Sequence, residues 1–261
     1  MLERISILGG HGKTGEPEPV PRVDLKMGDV VSIVGPTGSG KTTLINDIEL
    51  FADGSTPTRR SILIDGKTPS SEYRDDPSHN PIALITQHTN FLSDLPVDKF
   101  LSIHALVRNR DGQGTDSVVT RTLDFANQLT GEPILPRSRM TELSGGQTRA
   151  LLIADAAVIG DAPIVLLDEI ENAGINRKRA LELLRQSRKI YVFVTHEPYV
   201  SLLSDFRVVM QNGAMVKILY TSEEEQKLSE GLREVEGRLA DLRNRMRQGE
   251  HLKIGAVGRA L

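Results

Sequence analysis

The stretch "GPTGSGKT", Gly35 to Thr42, sets glycines, a lysine and a threonine at the spacing G-x-x-x-x-G-K-[ST]. Glycines lack a Cβ, so backbone N–H groups can close around anionic oxygens, and a helix that begins at the lysine adds the positive end of its dipole. The apolar run "VVSIV" before it and the helical pattern "TTLINDIELF" after it supply the strand and helix that such a phosphate loop needs. On this reading Gly35, Pro36, Thr37, Gly38, Ser39, Gly40, Lys41, Thr42 and Thr43 surround a polyphosphate. Lys41 reaches the β and γ phosphates and Thr42 offers its hydroxyl to Mg²⁺. The alternative, a glycine-rich turn that binds nothing, is disfavoured by both the spacing and the strand-to-helix context. The segment "GGHGKT" is not read as a second phosphate loop, because its spacing does not fit and "GEPEPVP" cannot open a helix.

Asp168 and Glu169 stand side by side at the end of the apolar run "PIVLLD". Asp168 can hold Mg²⁺ directly or through water, and Glu169 can accept a proton from a water that attacks a γ phosphate. Alone, such a pair would read as a solvated strand end; the phosphate loop in the same chain favours the catalytic reading. Glu171 adds a third carboxylate, read either as a surface residue or as one that tunes metal binding or meets a second protomer. A further group, "LSGGQ", Leu143 to Gln147, reads as a helix start with Ser144 as N-cap and Gly145 and Gly146 in the turn.

These groups need a scaffold, and the chain offers short Val- and Ile-rich runs bounded by Gly, Pro or polar residues: "VVSIVG", "SILIDG", "IALITQ", "PIVLLDE" and "IYVFVTH". Helical patterns at 41–51 and 177–188 lie between some of them, which indicates a largely parallel sheet with crossover helices. "VVMQNGAMVKIL" places Asn212 and Gly213 between two β-prone runs, a hairpin signal. Residues 96–141 carry helical apolar spacing interrupted by "RNRDGQGTD" and read as an inserted helical subdomain. After Tyr220 the chain turns charged and helical, with Leu228, Leu232, Val235, Leu239, Leu242 and Met246 in steps of four and three. That stripe reads first as an amphipathic helix lying on its own domain, and second as a surface for self-pairing or a partner.

The order of these pieces resembles the ATP-binding cassette (ABC) ATPases, with "LSGGQ" between the phosphate loop and the acidic strand end similar to that family's signature motif. The resemblance runs from about Leu2 to Leu219 and implies an α/β fold: a P-loop NTPase core with a mostly parallel sheet, an antiparallel β-region that includes "SILIDGK", the helical subdomain and a C-terminal helix. It divides the chain into a cassette over 1–220 and a helical tail over 221–261. It implies that Gln87 senses Mg²⁺ and the attacking water and that His196 contacts the γ phosphate, although a lone strand-end histidine is more often structural. It also implies ATP and Mg²⁺ as cofactors, and a head-to-tail homodimer in which Ser144, Gly145, Gly146 and Gln147 of one copy complete the other's site. The family's adenine-stacking aromatic has no aromatic match here; His11 falls closest. Its usual Pro-Thr after the catalytic Glu is replaced by Ile170, Glu171 and Asn172, and the Asp of its following loop falls on Ile175, with Asn176 next.

With 261 residues, no cysteine and a net charge of −3, the chain can form one large domain, but no disulfide, iron–sulfur cluster or cysteine nucleophile, and bulk charge gives no argument for nucleic acid. No run approaches the roughly 18 apolar residues of a membrane span. The expectation is a cytoplasmic protein, free or peripheral at the inner face of the membrane, and the family resemblance implies that it couples ATP turnover to a separate membrane protein as a transporter subunit. A soluble macromolecular partner such as a metalloenzyme is the alternative.

Overall fold

A computed structural model describes residues 2–76, 79–86, 88–108, 114–168 and 177–251. Two sheets share the N-terminal part. β1 (Arg4–Leu8), β2 (Arg22–Lys26) and β4 (Ser61–Ile64) form an antiparallel sheet in the order β2-β1-β4. β3 (Val30–Val34), β5 (Ile82–Ile85), β6 (Ile164–Asp168), β7 (Ile190–Val194), β8 (Phe206–Gln211) and β9 (Ala214–Tyr220) form a second, ordered β5-β6-β7-β3-β8-β9. Every pairing in it is parallel except β8 with β9, which close as a hairpin through Asn212 and Gly213, both at positive φ (47° and 81°).

Period-two alternation divides the central strands between two cores. Ile164 and Leu166 of β6 and Ile190, Val192 and Val194 of β7 face α1 (Lys41–Glu49) and the antiparallel sheet, joining Leu44, Ile45 and Ile48. Val165, Leu167, Tyr191 and Phe193 face the opposite way. There they meet α5 (Gly145–Val158), α6 (Arg177–Gln186) and α7 (Pro198–Leu202) through Ala150, Ile153, Leu181, Leu184 and Val200. Burial on both faces explains why these strands read as unbroken apolar runs. A short α2 (Glu72–Asp75) precedes β5.

Within 96–141 lie α3 (Val97–Arg108) and α4 (Thr115–Leu129), and a 3₁₀ turn, Met140–Glu142, runs across the segment's end. Their apolar faces form a third core with Leu151 and Ala154 of α5, so α5 joins the helices to the sheet. The last helix, α8 (Glu223–Arg247), is anchored at its first turns: Glu225 pairs with Arg207 and Ser229 is buried. Of the stripe, Leu228, Val235, Leu239 and Met246 are exposed while Leu232 and Leu242 are half-buried, so it lies on its own domain only in part. The reason is length, since a 25-residue helix spans about 37 Å and the five-residue α7 beneath it about 8 Å.

Candidate functional site

The register of the parallel sheet brings the candidate residues to one edge. Asp168 pairs with Val194, and Val194 with Ile33, so the three lie in line at the C-terminal ends of β6, β7 and β3. Gly35 follows Ile33 by two residues and His196 follows Val194 by two, which puts the phosphate loop, the acidic strand end and the histidine on the same rim. Open α/β sheets bind ligands at this edge. α1 packs against β6 as well as β4 and β5, so the helix that begins with Lys41, Thr42 and Thr43 leans on the strand that ends in Asp168.

The loop itself is set by its glycines. Gly35, Gly38 and Gly40 have φ of 152°, 76° and 98°. A Cβ on Gly35 would stand 2.3 Å from Met210 O, and one on Gly40 would stand 2.9 Å from Gly213 Cα, so the β8–β9 turn closes on the loop only because neither side chain exists. Buried Lys41 folds back, its ammonium donating to Gly35 O at 2.9 Å and Pro36 O at 3.1 Å. Thr42 and Thr43 are exposed, and among the described residues no side chain caps α1. The buried Ser39 Oγ has no hydrogen-bond partner among the described residues. An ammonium, three hydroxyls and an uncapped helix N-terminus fit a polyphosphate. Thr42 and Asp168 supply the hard oxygen donors that Mg²⁺ takes alongside phosphates and water. Among the described residues no group of three or more carboxylates and histidines forms an all-protein metal cage, and a phosphate-borne Mg²⁺ does not require one.

A second layer holds the loop from outside. Lys13 donates from its ammonium to Gly38 O at 2.7 Å, and Gly213 N donates to Ser39 O at 2.9 Å. Behind them the fully buried Arg60 donates to Glu18 at 2.6 Å, to Asp47 of α1 at 2.9 Å and to Gly213 O at 2.7 Å. Burial opposes the Arg60 charge, but the hydrogen bonds and charge of Glu18, then of Asp47, outweigh it and hold the guanidinium above its ordinary pKa. Glu18 also accepts from Gly10 N and Met215 N, tying the N-terminal loop to β9. Sequence reading assigned nothing to Lys13, Glu18 or Arg60. Lysine and arginine beside short runs carry no signal of partners so distant in the chain.

His11 lies in this N-terminal loop, half-buried, its N–H donating to Thr58 O at 2.7 Å. Its Nδ1 is buried with no hydrogen-bond partner among the described residues. His196 is exposed between β7 and α7. Ser144 caps α5, its Oγ accepting from Gln147 N at 3.3 Å while Gln147 Oε1 accepts from Ser144 N at 2.9 Å. Gln147 further donates to Pro133 O, and Ser144 and Gly145 are exposed, with Gly146 half-buried, beside the helical layer. Gln87, Glu169, Ile170, Glu171, Asn172, Ile175 and Asn176 lie outside the described residues.

Comparison with known proteins gives one result throughout. A family model described as ABC transporter matches residues 21–172. An uncharacterized ABC transporter ATP-binding protein of Methanocaldococcus jannaschii is 48% identical over 251 residues, 96% of this chain and 95% of that protein. An ATP-dependent lipid A-core flippase of Desulfotalea psychrophila is 32% identical over 221 residues; the match takes in 78% of this chain and 36% of the flippase. Among solved structures, a dimeric ATP-binding cassette in a post-hydrolysis state, bound to ADP and Pi, overlays with a TM-score of 0.64 at 23% identity. That overlay covers 84% of this chain and 99% of the other, and it shows the P-loop cassette fold.

Proposed function

The chain belongs to the ABC transporter family of ATP-binding cassettes, and from that premise we propose that it is the Mg²⁺-dependent ATPase subunit of a transporter, working as a head-to-tail homodimer. The observation that carries the reading is the rim itself, with the glycine loop on β3 and α1 in line with Asp168 on β6. Lys41 and the α1 N-terminus draw in and orient the β and γ phosphates. Thr42 and Asp168 would hold Mg²⁺, which when bound neutralises charge on those phosphates. Glu169 takes the proton of the attacking water, Gln87 orients that water, and His196 meets the γ phosphate. His11, the nearest match to the family's adenine-stacking aromatic, is assigned to the adenine ring. Ser144, Gly145, Gly146 and Gln147 of a second copy complete the site with N–H and hydroxyl donors, so ATP favours closure and its loss favours opening.

Among the described residues no helix is long and apolar enough to cross a membrane. On this reading the movement of cargo is assigned to a separate membrane partner. The partly exposed α8 stripe supports a second reading, in which the same motor acts on a soluble macromolecule. The turnover assignment is tested by phosphate release: Lys41→Ala should lose nucleotide affinity, and Glu169→Gln should keep affinity and lose at least about 100-fold in rate. Unchanged release by Glu169→Gln would remove the assigned base. Capture with Glu169→Gln, ATP and Mg²⁺ from detergent-solubilised cells separates the two readings, a stoichiometric polytopic membrane protein supporting the first and a soluble enzyme the second.

A further inference from the structure

We propose that Lys13 is a positioning residue of the nucleotide site, a clasp acting through the Gly38 carbonyl; the inference rests on the ATP-site reading above. Among the described residues nothing stands within 4 Å of where a Gly38 Cβ would be, and its φ is +76°, so no side-chain packing among them fixes that glycine. The Lys13 ammonium, 2.7 Å from Gly38 O, grips it. The next peptide is gripped in the same manner, with Ser39 O accepting from Gly213 N at 2.9 Å. In a trans peptide C=O and N–H point in opposite directions. The Gly38–Ser39 peptide is thus held at both ends, Gly38 O by Lys13 from outside and the Ser39 N–H by Pro36 O within the loop at 3.1 Å, and the Ser39–Gly40 peptide, held by Gly213, sets the heading of the Gly40 N–H before any phosphate arrives. Donors fixed in advance do not have to be ordered on binding, which is how preorganisation raises affinity.

The clasp has a foundation of its own. Lys13 N donates to Asn212 O at 2.8 Å, and a Cβ on Gly213 would stand 2.9 Å from Lys13 Cγ, so the lysine stem lies flat on the β8–β9 turn. Arg60 holds Gly213 O from beneath, and Glu18 bonds Gly10 N on one side and Met215 N on the other. One buried ion cluster thus fixes both the loop that carries Lys13 and the hairpin that grips Ser39. Lys13 is exposed, so its removal does not disturb a core.

The test compares full-length Lys13→Met, Lys13→Arg and Lys41→Ala for ATP and ADP affinity, with amide hydrogen exchange across residues 35–43 measured without nucleotide. Lys13→Met should speed exchange at Ser39 and Gly40 and weaken ATP and ADP alike by about tenfold, which is about 1.4 kcal/mol. Lys13→Arg should restore both readings, and the unfolding midpoint should not move in either variant. Native affinity in Lys13→Met while Lys41→Ala loses binding overturns the clasp and leaves the ATP site standing. Native binding in Lys41→Ala overturns the ATP site itself. Weaker binding with unchanged exchange overturns the clasp in favour of direct contact between the ammonium and phosphate, and a lowered unfolding midpoint overturns it in favour of general destabilisation.

Discussion

Arg60 is the residue on which the outer half of the site converges, and its energetics are those of a charge with no access to water. Its side chain and that of Glu18 are fully buried, and Asp47 nearly so. Replacing Arg60 by Met keeps much of the volume but leaves two carboxylates buried without their cation. The expected loss of unfolding free energy is about 3–5 kcal/mol, read from denaturant titration. A loss below about 0.5 kcal/mol would show that the cluster is not the anchor described. Tyr191 gives a second residue-scale expectation. Burial, with a smaller push from the Asp161 charge, drives its phenol up to about 12 against a hydrogen bond with Ser187. A raised acid pKa means the folded state keeps the proton that the unfolded chain gives up. The stability this contributes is whole below about pH 10 and is lost as pH rises from about 10 to 12, amounting to ~2–3 kcal/mol. Tyrosinate absorbance should show one of the four tyrosines titrating late, together with falling stability over that window. Titration of all four near the ordinary value would contradict the buried environment.

At the scale of elements, α5 links the helical layer to the sheet and starts at a capping box. Ser144→Ala removes the acceptor for Gln147 N and should cost about 1 kcal/mol in chemical denaturation. Ser144→Arg adds bulk at the same exposed position. Both variants should retain ATP binding by the isolated chain, and only Ser144→Arg should prevent closure of two chains; loss of ATP binding by Ser144→Ala would contradict the assignment of that segment to the opposite site. This element was legible because Ser, Gly-Gly and Gln at fixed offsets state a helix start locally. The same holds for β3, β6 and β7, whose apolar runs are buried on both faces, for the shorter, partly buried β5, and for the Asn212–Gly213 turn. β1 and β2 were not read as strands. "RISIL" and "RVDLK" are five residues each and open on an arginine, the first buried through its three central residues and the second at alternate ones, and their pairing becomes evident only when Ile5 meets Leu25 and Ile64 across the chain.

At the scale of the molecule, the rim of the parallel sheet was legible in outline. The order of phosphate loop, Asp168 and His196 along the chain becomes their alignment across β3, β6 and β7 once the strands are parallel and in register. The supports behind the rim were not legible. Lys13 meets Gly38, and Glu18 meets Arg60 and Met215, through loops whose sequences carry no periodicity and whose partners are far along the chain. α8 was legible as a helix, but its surroundings were not, since heptad steps fit a stripe on the domain and a stripe in solvent equally well.

The central claim is that ATP closes two copies of this chain into a dimer with shared sites. It is tested most directly by light scattering on size-exclusion-purified Glu169→Gln with Mg²⁺, comparing ATP with ADP and with the added Ser144→Arg change. The account predicts a dimer with ATP, a monomer with ADP, and a monomer with either nucleotide once Ser144→Arg is present. A monomer throughout, or a dimer indifferent to nucleotide and to Ser144→Arg, would contradict it.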